Sequence, residues 1–143
     1  MNTSPRRRRT PREPTWLQPD VIEAIHDELV MDLGGLPGVR DTGLRESALG
    51  RPLNQWHYGE THDVCSLAAA YGFGIAKNHP FNDGNKRTAF QAMFVFLFVN
   101  GRELDASEVD AVNAMLALAD GSLPEAGLAA WLRMNSRVRK KPK

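Results

Sequence analysis

Cysteine is almost missing from this chain. Cys65 stands alone among 143 residues, so no disulfide can form within the chain and no thiolate cluster can hold a metal. That usage suits a reducing compartment, and a cytoplasmic location is expected. Long apolar stretches are missing as well. The longest, Ala92–Val99, is far short of the roughly 20 residues that cross a bilayer, so no membrane partner is expected. The arginines near the start lead into the polar stretch Thr10–Gln18, not an apolar run, which speaks against a secretory signal. His57, His62 and Cys65 lack the spacing of a zinc site. Low-complexity segments and internal repeats are absent from the body of the sequence.

Net charge is also scarce, at +1, but its distribution is uneven. Residues 1–14 carry Arg6, Arg7, Arg8, Arg9 and Arg12 against Glu13, and residues 133–143 carry six cations and no acid. The stretch between them is therefore acidic. Such blocks read as solvated tails, and an acidic body argues against direct nucleic-acid binding by the core. The expected organisation is a basic, disordered tail over 1–15, one catalytic domain over 16–135 and a basic tail over 136–143.

Helical periodicity dominates what is present, so the fold class is mainly α. A helix is predicted from Pro19 to about Leu33, with Val21, Ile22, Ile25, Leu29 and Leu33 on its apolar face and Gly34–Gly35 ending it. A short helix Leu44–Leu49 should stop before Pro52. Leu53–Glu60, without a helical period, reads as an exposed flap or small hairpin. A third helix, Asp63–Asn78, capped by Thr61, is rich in small residues that allow close packing. Asn85–Asn100 is apolar nearly all round and is expected to be the buried central helix. Helices over Ser107–Asp120 and Leu123–Asn135 come next, with Ser107 and Ser122 as caps. The tryptophans Trp16, Trp56 and Trp131 read as packing groups.

The chemistry concentrates in Asn78-His79-Pro80-Phe81-Asn82-Asp83-Gly84-Asn85-Lys86-Arg87-Thr88. A polar loop here opens a helix whose first amides have no internal partners and whose dipole is positive. Gly84 leaves room for a close ligand, and Lys86 and Arg87 add cations where cations alone oppose the dipole. An anion, in particular a phosphate, resolves that misfit. Asp83 tolerates the phosphate if Mg²⁺ lies between them. His79 can accept a proton from a hydroxyl, and Asn85 can donate to a developing negative charge. These parts imply transfer of a phosphoryl or nucleotidyl group to a hydroxyl.

The same stretch resembles the signature loop of the Fic/Doc superfamily. It matches every fixed position of the Doc (death on curing) pattern H-x-F-x-[DN]-x-N-K-R. It departs from the Fic pattern H-P-F-x-[DE]-G-N-G-R-x-x-R at Lys86, where Fic has glycine, and at Phe90, where Fic has its second arginine. The resemblance extends over about residues 17–135 and implies a compact Fic/Doc helical domain with a short flap over the site. It further implies a toxin kinase that passes the γ-phosphate of ATP, with Mg²⁺, to a serine or threonine of a target protein. The implied target is elongation factor Tu, and the outcome is arrest of translation. AMP transfer of the Fic type is the alternative. By position His79 is the implied base and Asp83 the metal-associated carboxylate. Gly84, Asn85, Lys86 and Arg87 are the implied nucleotide and phosphate contacts, and Phe81 anchors the loop. The flap residues Asn54, Gln55, Trp56, His57 and Tyr58 are the implied target-docking segment. The inhibitory pattern [ST]-x-x-x-E-[GN] has no match; Thr42 and Glu46 come nearest, but Ser47 stands next. Restraint is therefore expected from a separate Phd-like antitoxin.

Overall fold

The computed structural model describes residues 12–140. Readings that fall on 1–11 and 141–143, the Arg6–Arg9 run among them, lie outside the described residues. The elements run in the order α1 (Pro19–Leu33), α2 (Thr42–His57), α3 (Val64–Asn78), α4 (Asn85–Val99), β1 (Arg102–Leu104), α5 (Glu108–Asp120), α6 (Glu125–Met134) and β2 (Ser136–Val138). The fold is mainly α, as the periodicity implies. No helix among the described residues is long and apolar enough to cross a membrane.

α1 starts at Pro19, where the missing N–H has no helical role. It ends at Gly34, whose amide returns to the Val30 carbonyl at 2.8 Å. α2 corrects the sequence reading. Asp41 caps it by accepting the Leu44 amide, but the helix does not stop at Pro52. It runs on to His57, so residues 53–57 are helical and no hairpin forms there. An interior proline costs about 3 kcal/mol in isolation, because it frees the carbonyl four residues back and crowds it. Here Pro52 is buried, and the freed carbonyl, that of Ala48, lies against α3 at Gly74. A Cβ on Gly74 would sit 3.1 Å from that oxygen. Tertiary packing of α2 on α3 therefore outweighs the local penalty.

The central helix is α3, not α4. Ten of its residues, including Leu67, Ala68, Ala69, Ala70, Tyr71 and Ile75, are buried, and it packs against α2, α4 and α6. Its small residues make this possible. Gly74 admits the Ala48 backbone, and Gly72 admits Met93 of α4, whose Sδ occupies the space an added Cβ would need. Asp63, not Thr61, caps the helix by accepting the Ser66 amide. α4 is buried along Ala89, Ala92, Met93, Phe96 and Leu97, while Phe98 and Val99 are exposed. Its uniform apolarity overstates its burial, because β1 and β2 shield only part of its far end.

Ser107 caps α5. Ser122 does not cap α6; Pro124 holds the cap position without a side-chain bond. β1 and β2 pair antiparallel, Arg102 with Val138 and Leu104 with Ser136. Residues 136–138, assigned to the C-terminal tail from their charge, thus belong to the folded body. At the other end Thr15 is tied to Asn100 through both its amide and its carbonyl. The three tryptophans pack against the core. Burial pushes the Tyr71 hydroxyl up to about 12, although it accepts the Leu17 amide at 3.0 Å.

Candidate active site

Two loops build the site. The first, residues 78–84, joins α3 to α4. The second, residues 34–41, joins α1 to α2 and clasps the first along its backbone. The Asn82 amide donates to the Gly38 carbonyl, and the Arg40 and Asp41 amides donate to the Pro80 carbonyl. Val39 and Phe81 form an isolated antiparallel bridge. The Asn82 side chain donates to the Pro37 carbonyl at 2.9 Å.

His79 ends α3 in a left-handed conformation, with φ 49°, and is the one non-glycine with positive φ among the described residues. That backbone costs free energy for an L-residue. Its neighbours hold it. Arg40 donates through Nε to the His79 carbonyl and through Nη2 to the Asn78 carbonyl, at 2.8 and 2.9 Å. The Asn78 side chain donates to the Leu44 carbonyl. The next residues, Pro80 and Phe81, are buried. The imidazole of His79 is thus carried, on an exposed residue, between a clamped helix end and a buried anchor. Phe81 lies at 1% exposure in the core, consistent with an anchoring role.

Gly84, with φ 73°, occupies the cap position of α4 and offers no side-chain cap. The amides of Asn85, Lys86 and Arg87 meet no acceptor among the described residues, while the Thr88 amide returns to the Gly84 carbonyl. Lys86 is exposed and Arg87 half-buried beside these amides. Arg87 also donates to the Gly34 carbonyl at 3.2 Å. Three free amides, a helix dipole and two cations converge on one small surface, which is the composition of an anion site. Asn85 is engaged differently from the oxyanion-donor reading. Its Oδ1 accepts the Phe81 amide and its Nδ2 donates to the Phe81 carbonyl, both at 3.0 Å. It closes the loop on itself, leaving one Nδ2 hydrogen for a ligand.

Asp83 is exposed. Its Oδ1 accepts the Gly84 amide, and its Oδ2 lies where a Cβ on Gly35 would approach to 2.9 Å. Among the described residues no three His, Cys, Asp or Glu side chains group as a metal cage. One exposed carboxylate beside an anion site fits Mg²⁺, which takes one or two carboxylates and completes its shell with oxygens of an anionic ligand and waters.

The residues 54–58 are not part of this constellation. Asn54, Gln55, Trp56 and His57 lie on the last turn of α2, and Tyr58 is its C-terminal cap. They sit about 18 Å along the axis from the Leu44 end that touches the site. Gln55 donates to Glu125 of α6, and Trp56 packs against Trp16 and His62. The segment bordering the loop 78–84 is 34–41, which composition marks only as a glycine- and proline-rich loop. Sequence reasoning misses two further contributors. Arg40 gives no sequence signal. His26 does: it lies four residues after Ile22 on the inward face of α1, and it is buried at 1% exposure.

A groove of about 520 Å³ adjoins the anion site. Leu29, Phe90, Val112 and Met115 line it together with Lys86 and Arg87. Phe90, one of the two departures from the Fic pattern, thus contributes an apolar wall.

Comparison with known proteins agrees with this geometry. Residues 16–97 match the family model described as the Fic/DOC family. The chain is similar to "Protein kinase doc" of Escherichia phage P1, with 34% identity over 118 residues, 82% of this chain and 92% of the relative. It is also similar to "Toxin Doc" of Mycolicibacterium smegmatis, with 38% identity over 85 residues, 58% of this chain and 65% of the relative.

Proposed function

This chain belongs to the Fic/DOC family, and from that premise we propose that it is a toxin kinase moving the γ-phosphate of ATP to a protein hydroxyl. The observation that carries the reading is the free amides of Asn85, Lys86 and Arg87 beside two cations, at one end of a loop whose other end is His79. The names of the two relatives, a protein kinase and a toxin, point the same way.

In this reading the terminal phosphate rests on the amino end of α4, with Lys86 and Arg87 offsetting its charge. Asp83 would hold Mg²⁺, which when bound neutralises charge on the phosphate chain. His79 takes the proton of a serine or threonine hydroxyl. That oxygen forms a bond to the γ-phosphorus, the bond to the β-bridging oxygen breaks, and ADP departs. Lys86 fills the space that glycine leaves open for an α-phosphate in the Fic pattern, which favours phosphoryl over AMP transfer. The bridge-forming loop 34–41 replaces 54–58 as the segment that aligns the target chain, through backbone pairing next to Val39.

The proposed target is elongation factor Tu, and the proposed restraint is a Phd-like antitoxin. A disordered segment of that partner would fold as an amphipathic helix in the groove lined by Phe90 and Met115. Intact-mass measurement of elongation factor Tu after incubation with this protein, ATP and Mg²⁺ tests the core of the reading, with His79→Ala as control. A gain of one phosphoryl group, lost in the control, is expected. A gain of a whole nucleotide would replace it with AMP transfer, and no gain would remove this target.

A further inference from the structure

His26 is a buried polar side chain that the phosphate-transfer chemistry above does not use. It sits on α1, far from the signature loop in sequence, yet it touches that loop three times. Its ring stacks on Phe81 with centroids 4.0 Å apart and planes 10° from parallel. Its Nε2 lies 2.7 Å from the Asp83 carbonyl oxygen. Its Cδ2 and Nε2 edge forms the wall 3.9 Å from where a Cβ on Gly84 would lie.

A carbonyl only accepts, so this contact requires the proton on Nε2. The consequence reaches the site through the Asp83–Gly84 peptide. A trans peptide is planar, with its C=O and N–H pointing opposite ways. Fixing the Asp83 carbonyl inward therefore fixes the Gly84 N–H outward, where Asp83 Oδ1 accepts it. The same plane sets the start of α4 and so the aim of the free amides of Asn85, Lys86 and Arg87. An Asp-Gly peptide is the place where a flip is cheapest, because glycine tolerates either sign of φ. A flipped plane would present a carbonyl oxygen to the anion and release the Asp83 carboxylate.

We propose that His26 is a positioning residue: as the Nε2–H tautomer, it locks the Asp83–Gly84 peptide plane that the nucleotide's phosphates and the Asp83 carboxylate depend on. The catalytic consequence rests on the phosphate-transfer reading; the lock does not. Neither Arg87 nor the loop 34–41 can substitute, since their hydrogen bonds reach other backbone atoms.

The test compares the full chain with His26→Phe, which can keep the stack but has no donor, and His26→Gln, whose amide can donate at similar reach. On wild-type protein, ¹⁵N-detected imidazole shifts should report a protonated Nε2; a proton on Nδ1 alone overturns the proposal without any variant. By calorimetry, His26→Phe should bind ATP with Mg²⁺ about tenfold more weakly, the size expected for one charge-proximal hydrogen bond. His26→Gln should recover most of that loss. In transfer assays the Phe variant should raise KM for ATP more than it lowers kcat. Unchanged ATP affinity in folded His26→Phe, or a Gln variant as weak as the Phe variant, overturns the lock. Wild-type protein that transfers phosphate to nothing would remove the functional reading, while the tautomer and the affinity ratio still decide the lock.

Discussion

His79 must hold a left-handed backbone and still aim its imidazole, and that demand falls on Arg40. Two charge-assisted bonds from one guanidinium reach the carbonyls of Asn78 and His79, at the helix end where the dipole favours a cation. Arg40→Ala should leave the free amides of α4 in place and loosen His79, the proposed base. The expected result is a fall in kcat of about tenfold with little change in KM for ATP, of the order of one charged hydrogen bond. Steady-state kinetics on the accepted target decides it, and an unchanged kcat removes Arg40 from the account. Asp63 offers a residue-scale prediction in pH. Burial pushes its carboxyl up, but the hydrogen bonds from Arg133 and Ser66 and the charge of Arg133 outweigh that, leaving it below its ordinary 3.8. A depressed folded value stabilises the fold above the unfolded value and is lost as pH falls through the folded one. The contribution is therefore full above about pH 4 and fades in more acid solution. Asp63→Asn keeps a capping group, so it should cost under about 1 kcal/mol near neutral pH for a half-exposed pair and flatten the acid limb. Asp63→Ala should cost about 1 kcal/mol more through the lost cap. Urea unfolding across pH separates the two variants.

Among the elements, α2 and α3 show what the sequence carries and what it hides. The small residues of α3 are visible as a pattern, and they do mark close packing. What the pattern cannot say is which atoms come close. Gly74 faces the Ala48 backbone at 3.1 Å, whereas Gly50 on α2 would meet nothing within 4 Å. Glycine to alanine inside a helix ordinarily stabilises by about 0.5–1 kcal/mol. Gly50→Ala should do so. Gly74→Ala should instead destabilise by about 1–3 kcal/mol, because backbone cannot yield as a side chain can. Thermal melts of the two variants shifting in the same direction would refute this account of the helix contact. The signature loop is legible from residues 78–88 alone, since an anion site at a helix start is local chemistry. The extent of α2 is not, because a proline's local cost is visible and the tertiary packing that offsets it is not. Ending α2 at Pro52 forces residues 53–60 into the role of a flap, where the structure has the last turns of a helix. The loop 34–41 pairs with residues about 40 positions away, and no local signal announces such a bridge.

For the whole molecule, the question is where the folded body ends. Charge alone divides the chain near Asn135, yet residues 136–139 close the far end of α4. β2 pairs with β1 beside Leu104, which is 6% exposed. Arg102 donates to the Ser136 hydroxyl and carbonyl at 3.0 Å each. The Arg139 amide donates to the Gly101 carbonyl at 2.7 Å, and its guanidinium stands 4.0 Å over the Phe98 ring. Ending the chain after Asn135 removes all of these together and bares Leu104 and the flank of α4. A loss of about 2 kcal/mol is expected from the exposed leucine and the orphaned hydrogen bonds. Ending it after Arg139 keeps them and should change stability by less than about 0.5 kcal/mol. The site lies at the opposite end of α4, about 22 Å along its axis, so the shorter chain should lose stability before it loses chemistry. At a temperature where both truncated chains remain folded, they should bind ATP equally. If ending after Asn135 left the melting temperature unchanged, charge would have marked the boundary correctly and β2 would be an appendage. If it weakened ATP binding in folded protein, the far end of α4 would govern the loop that starts it, and the division of labour along that helix would be wrong.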